Sequence, residues 1–445
     1  MRLSPRLTTF FLMSEPGASL LEFRRVRPVN RLFYRFMLGI LRGLILRYFR
    51  ITTVNESVVP QTGAGIIVAN HSTLFDPIWV YAMLRRPVYF AATEDLFRKR
   101  FLGRLISWFG AFPKRKAASD LAALRSIFTI IEKGGLVGLF PEGVRTWDGT
   151  NQPLFTGIAK LIRKLGVPVY VCRLEGAYLV YPRWARHWRR VPLRGVFSRL
   201  YDAGSVPGHD ERILADIASA IRSTDFEMDV PVASARRGGL AVNVTRVLYR
   251  CPSCGTMEGL KLLRPFSSNK IECSSCFSSW VIDVGCRLSV ADENGTAEGS
   301  WVPLPVHYER IKVMPFTPIR SQVRLGLAPD EHVLLISRPR FLFIQEKFPN
   351  LRVFAFGRAF LTDQRLVFRT RIGIPLSAPI TALGALSVDP GDKLHFTYQG
   401  KLYRIPFRNE SALKWFDSIQ RLGQAGRSGE AAPVVLPAQA VTTGR

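Results

Sequence analysis

The 445-residue sequence has no run of about 18 uncharged apolar residues, which excludes an ordinary membrane-crossing helix. It is short of acids: 34 Asp and Glu stand against 62 Lys and Arg, a formal net charge of +28. That imbalance says little about fold but points to anionic partners, either nucleic acid or an anionic membrane surface. Arginine outnumbers lysine, and its planar fork suits phosphates of either kind. Cysteine is scarce, and four of the six fall in two C-x-x-C pairs. This argues against a disulfide framework and for metal in a reducing compartment. The opening MRLSPRLTTFFLM has only a short apolar stretch before SEPGAS, so secretion is not expected. No internal repeat is visible. The length exceeds one ordinary core, so about two to four domains are expected.

Residues 31–50, RLFYRFMLGILRGLILRYFR, have helical periodicity. Arg31, Arg35 and Arg42 fall on one side, within about 40° at 100° per residue, and Phe33, Met37, Ile40, Leu41, Leu44 and Tyr48 fall on the far side. The first 50 residues carry ten arginines and two acids. Such a helix can lie in the headgroup plane with its arginines on lipid phosphates; its alternative is an amphipathic helix packed on the domain.

From 51 to 230, strand-like runs such as AGIIVAN, PVYFAA, LVGLF and VPVYVCRL alternate with helical ones such as DPIWVYAML, SDLAALRSIFTIIEK and GIAKLIRKLG. This alternation predicts an α/β domain, a mixed sheet covered by helices. Asp76 is expected to cap the DPIWVYAML helix, with Pro77 at its first turn. Residues 231–248 carry a linker signal. From 300 to 422 short strands predict a small β-barrel or sandwich capped by a helix over NESALKWFDSIQRL. Residues 423–445 are expected to be a disordered tail.

Histidine is scarce too, with six in the chain, and one follows a strand-like run in NHSTLFDP, residues 70–77. His71 can serve as a general base, and Asp76 is near enough to fold back and orient its ring. Alone, this spacing arises readily by chance. FPEGVRT, residues 140–146, adds a second polar loop directly after a strand, with Glu142, Gly143 and Arg145. A backbone opened by glycine beside an arginine can seat a phosphate. GAFPKRK, residues 110–116, adds Lys114, Arg115 and Lys116.

NHSTLFDP followed by FPEGVRT resembles the glycerolipid acyltransferases of the 1-acylglycerol-3-phosphate type, over about residues 30–230. The resemblance implies acyl transfer from acyl-CoA or acyl-carrier-protein thioesters to a lipid hydroxyl. It makes His71 the base and Asp76 its partner. It gives Glu142, Gly143 and Arg145 to acceptor binding, together with Arg115 and Lys116. Four positions depart from the family pattern: Val144 for its threonine, Thr146 for its serine, Lys116 for its arginine and Val171 for its second proline. These bear on the acceptor's identity, not on the base.

Cys251, Cys254, Cys273 and Cys276 form C-x2-C-x18-C-x2-C, a spacing that suits tetrahedral zinc. The stretch 249–290 resembles a zinc ribbon, which implies one structural Zn2+. Further on, GRAFLTDQRLVF resembles the central hairpin of GRAM or pleckstrin-homology-like domains, which implies lipid-headgroup or protein partners. Arg338, Arg340, Arg358, Arg369 and Arg371 could there meet phosphates.

The expectation is a peripheral or monotopic enzyme on the cytoplasmic face of the membrane. It is organised as a membrane-associating segment (1–50), an acyltransferase domain (51–230), a linker (231–248), a zinc ribbon (249–290), a GRAM-like domain (300–422) and a tail (423–445). A lipid-binding scaffold without catalysis is the first alternative. A nucleic-acid-binding zinc-ribbon protein is the weaker one, because no known recognition element accompanies the charge.

Overall fold

The computed structural model describes residues 36, 39–40, 42–98, 100–114, 120–230, 238–264, 268–292, 296–321, 323–345, 351–389 and 392–428. Arg115, Lys116, most of the segment up to residue 41 and residues 429–445 lie outside these.

The first sheet contains β1 (Thr52–Val54), β2 (Gly65–Ala69), β3 (Val88–Thr93), β4 (Phe112–Lys114), β5 (Leu136–Leu139), β6 (Val169–Glu175) and β7 (Arg194–Tyr201), in the order β1-β7-β6-β2-β5-β3-β4. Every neighbouring pair is parallel except β6 and β7, which makes the sheet mixed, as expected. Helices α1 (Asp76–Met83), α2 (Glu94–Arg98), α3 (Arg100–Trp108), α4 (Leu121–Glu132), α5 (Gly157–Leu165), α6 (Ala177–Val180) and α7 (Asp210–Ala220) accompany it.

Burial on both faces explains why β2 is a continuous apolar run. Ile67 and Ala69 face a core shared with Trp79, Val80 and Met83 of α1. Ile66 and Val68 face Ile158 and Ile162 of α5 and Ile213 and Ile217 of α7. Asp120 caps α4, accepting from the Ala123 amide at 3.0 Å.

The middle of the chain is an antiparallel sheet, β8 (Leu260–Leu262), β9 (Lys270–Cys273), β10 (Ser279–Ile282), β11 (Arg287–Val290) and β12 (Val302–Pro303), ordered β12-β11-β10-β9-β8. Residues 238–248 fell within the expected linker, yet Ala241, Val244, Val247 and Leu248 are fully buried, because the segment is apolar enough to join the core. Helix α8 (Leu304–Val313) replaces the strands expected from about residue 300. Proline in its first turn and buried Leu304, Tyr308 and Ile311, spaced for one helical face, account for it.

The C-terminal module is antiparallel throughout: β13 (Val333–Ile336), β14 (Arg340–Gln345), β15 (Arg352–Thr362), β16 (Arg365–Arg369), β17 (Leu376–Pro379), β18 (Gly384–Asp389), β19 (Lys393–Tyr398) and β20 (Lys401–Pro406). The long β15 pairs β14 along its first half and β13 and β16 along its second. Helix α9 (Ala412–Ser428) buries Trp415, Ile419 and Leu422 in this core. It continues through residues 423–428, which were expected in the disordered tail, and Ala425 there is still buried.

Candidate active site

Asn70 directly follows strand β2, and its side chain pairs with both backbone groups of Leu174 on β6. Its amide donates to the Leu174 carbonyl at 2.9 Å, and its carbonyl accepts from the Leu174 amide at 2.7 Å. This closes the strand and starts the loop at a fixed place.

In that loop His71 Nδ1 lies 2.8 Å from Asp76 Oδ2. Asp76 is the first residue of α1 and Phe75 occupies the cap position, so the carboxylate does not cap the helix as expected. It turns back into the loop, accepting from the amides of Ser72 at 2.7 Å and Thr73 at 2.8 Å and from the Thr73 hydroxyl at 2.8 Å. Four hydrogen bonds hold a fully buried carboxylate in one orientation, and His71 inherits that orientation. The imidazole stacks on Phe140 at 4.2 Å and remains 19% exposed. Among the described residues, no hydrogen bond engages its Nε2.

The FPEGVRT loop is tied to His71 on both sides. The His71 amide donates to Glu142 Oε2 at 2.9 Å, and the Thr146 amide donates to the His71 carbonyl at 3.1 Å. The other oxygen of Glu142 accepts from Asn151 Nδ2 at 2.5 Å. Burial pushes the Glu142 carboxyl up to about 7, against the lowering effect of these hydrogen bonds. Glu142, assigned from the sequence to acceptor binding, therefore has both oxygens engaged beneath the base. Gly143 adopts φ +69°, a left-handed conformation that lets the loop turn, with its amide on the Phe140 carbonyl at 3.0 Å.

Arg145 is half-buried, and among the described residues its guanidinium has no hydrogen-bond or ion-pair partner. Burial lowers its pKa, opposed by the charges of Asp76, Asp389 and Tyr181. Its guanidinium is thus free to take an anion. Lys114 ends β4 and is exposed. Asn70 and Asn151 were not found from sequence; a lone asparagine carries no motif.

A separate cluster joins Cys251, Cys254, Cys273 and Cys276, whose Sγ atoms all lie within 4.8 Å of one another. Two matching turns present them. Gly255 N donates to the Cys251 carbonyl at 2.9 Å, and Phe277 N donates to the Cys273 carbonyl at 3.0 Å. Amides also point at sulfur, Cys254 N to Cys251 at 3.5 Å and Ser275 N to Cys273 at 3.4 Å. Cys172 and Cys286 are buried away from this cluster.

Residues 50–175 match the family model described as Acyltransferase, and this stretch contains His71, Asp76, Glu142 and Arg145. The curated relatives belong to the glycerolipid class. The 1-acyl-sn-glycerol-3-phosphate acyltransferase BAT2, chloroplastic, of Brassica napus is 26% identical over 157 residues, covering 34% of this chain and 45% of that protein. The 1-acyl-sn-glycerol-3-phosphate acyltransferase of Bacillus subtilis (strain 168) is 22% identical over 144 residues, covering 32% of this chain and 71% of that protein. The chain thus spans about half the length of the plant relative it matches. The crystal structure of the 1-acyl-sn-glycerophosphate (LPA) acyltransferase PlsC from Thermotoga maritima is similar over 48% of this chain and 84% of that one, at 18% identity and a TM-score of 0.36.

Proposed function

We propose that this protein transfers a fatty acyl group from acyl-CoA or acyl-carrier-protein to the hydroxyl of a lysophospholipid, with 1-acylglycerol-3-phosphate as the first candidate acceptor. The observation that carries this is the His71–Asp76 pair, 2.8 Å apart, bonded through its neighbouring backbone to the Arg145 loop. Nε2 of His71 takes the acceptor's hydroxyl proton while Asp76 fixes the ring and stabilises its charged form. The oxygen attacks the thioester carbonyl, a C–O bond forms, and collapse of the tetrahedral intermediate breaks the C–S bond. The thiolate leaves with the electron pair and receives the proton from His71. A thiolate leaves readily, so no protein nucleophile is required. Arg145 meets the acceptor's phosphate.

The four cysteines fit a structural Zn2+. Zn–S bonds of about 2.3 Å at tetrahedral angles place sulfurs ~3.8 Å apart. Cys251–Cys276 and Cys254–Cys273 are each 3.7 Å apart. With all four positions filled by protein, the ion would hold the two turns of 249–277 and take no part in acyl transfer. The C-terminal sheets and α9 are consistent with a GRAM or pleckstrin-homology-like module that meets lipid headgroups. No helix among the described residues is long and apolar enough to cross a membrane. Its basic, apolar first 50 residues are proposed to bring it to the cytoplasmic face of the membrane.

The test is product analysis with purified protein, mixed lysophospholipids, and acyl-CoA or acyl-carrier-protein. Phosphatidate formed from lysophosphatidate supports the proposal. No acylated product from any acceptor with either donor would overturn it.

A further inference from the structure

Arg145 is not held by its own loop alone. Val144 before it is exposed and Gly143 before that is left-handed, so the loop's few anchors matter. One comes from Arg183, in the segment after α6. Its Nη1 donates to the Arg145 carbonyl at 3.1 Å, and its guanidinium lies over the Trp147 ring at 4.0 Å. Trp147 is itself fixed, because the Tyr178 hydroxyl donates to its carbonyl at 3.0 Å while accepting from Trp184 Nε1 at 3.0 Å. The remaining arm, Nη2, reaches the C-terminal module and donates to the Val388 carbonyl on β18. Nε is buried without a partner, so the group is held for its two arms rather than fully satisfied.

The module also supplies charge. Asp389, next to Val388, acts on both Arg145 and Arg183, and Asp392 acts on Arg183. Burial and the repulsion of Arg145 bring Arg183 down to about 9, and those two carboxylates oppose the shift. The strand end is anchored in turn: Asp389 pairs with His395 at 3.2 Å, and buried Asp392 pairs with Arg246 at 3.2 Å.

We propose that the C-terminal module is a working part of the acceptor end of the active site, with Arg183 the positioning residue that couples β18 to Arg145. This rests on Arg145 being the acceptor's phosphate contact. A change on the module, such as a ligand or a surface bound there, would reach the acceptor through Arg183 and the charge of Asp389, and the donor would be unaffected.

Full-length Arg183→Ala, Arg183→Lys and Asp389→Ala tell whether this holds. Acceptor and donor KM and kcat are measured alongside amide hydrogen exchange. Arg183→Ala should raise the acceptor KM about ten-fold and leave donor KM and kcat within about two-fold. Arg183→Lys, which keeps a donor toward one carbonyl, should recover part of the loss. Asp389→Ala, made in the module alone, should also move the acceptor KM and not the donor's. Exchange in residues 143–147 and 384–389 should rise together in Arg183→Ala, with 260–282 unchanged. An unchanged acceptor KM, or equal losses for both substrates with protection lost throughout, would overturn the coupling. Should the wild-type protein acylate nothing, the proposed function fails, yet exchange still decides the coupling: joint loosening supports it, and an unaltered 143–147 refutes it.

Discussion

Replacing Glu142 by glutamine separates a residue that holds the base from one that binds the acceptor. Glu142 accepts from the His71 amide and from Asn151 Nδ2. Asn151 cannot turn over to help, because its carbonyl accepts from the Ser223 amide at 2.6 Å and its amide also donates to the Ile221 carbonyl at 3.1 Å. Glutamine has one acceptor oxygen, so its amide must face one of these two donors. A buried donor left unsatisfied costs about 1–3 kcal/mol, roughly 5- to 150-fold if expressed in the placement of His71. Glu142→Gln should therefore lower kcat within that range and leave the acceptor KM within about three-fold.

The pH dependence of stability gives a second reading of the same group. Burial raises the carboxyl from 4.5 to about 7, so the folded state binds more protons than the unfolded state between those values. The sign is that stability falls as pH rises through this window. The cost of ionisation is absent below about 4.5 and complete above about 7, and it amounts to at most ~3 kcal/mol. Asp225 and Asp417, also pushed to about 7 by burial, titrate in the same window. The difference between wild-type and Glu142→Gln stability, followed by denaturant unfolding across that window, isolates Glu142. A variant with normal kcat, a raised acceptor KM and the wild-type pH dependence would refute the positioning role.

Arg145→Ala should raise the acceptor KM far more than the donor's, since a charge-assisted hydrogen bond is worth about 1.5–3 kcal/mol; steady-state kinetics with each substrate varied would show it. Purified protein should carry about one zinc per chain by elemental analysis, and Cys273→Ser should release it and lower Tm while the metal-free transfer chemistry persists in whatever fraction stays folded. Binding to anionic vesicles should weaken with salt and fall on deletion of residues 1–50, where ten arginines face two acids; cosedimentation unchanged by the deletion would move the membrane contact elsewhere.

How much could be read in advance depended on how local the determinants are. The strands on either side of the site were legible because β2 and β5 are short apolar runs ending in polar loops. His71 and Asp76 were legible as a pair because they are five residues apart and meet within one loop. That Asp76 orients the ring was legible too; what was not is that the Ser72 and Thr73 amides converge on it, since a carboxylate at a helix start also reads as a cap. Asn70 and Asn151 act on partners 104 and 72 residues away, and no local pattern marks such contacts. Glu142 was assigned to the acceptor because the resemblance gave it that role along with Gly143 and Arg145. Only burial and the His71 amide show where its oxygens point. The contact of Arg183 with Val388 spans 205 positions and two differently patterned parts of the chain. Helix α8 was missed because the stretch from residue 300 was read with the short strands that follow it, although proline is well tolerated in a helix's first turn.

In the proposed mechanism His71, held by Asp76, takes the acceptor's proton. The most direct test of this step is the initial rate of acyl transfer by His71→Ala protein whose Tm and exchange protection match the wild type. That rate should fall to background while acceptor binding at Arg145 persists. Turnover within a few-fold of wild type in the folded variant would contradict it.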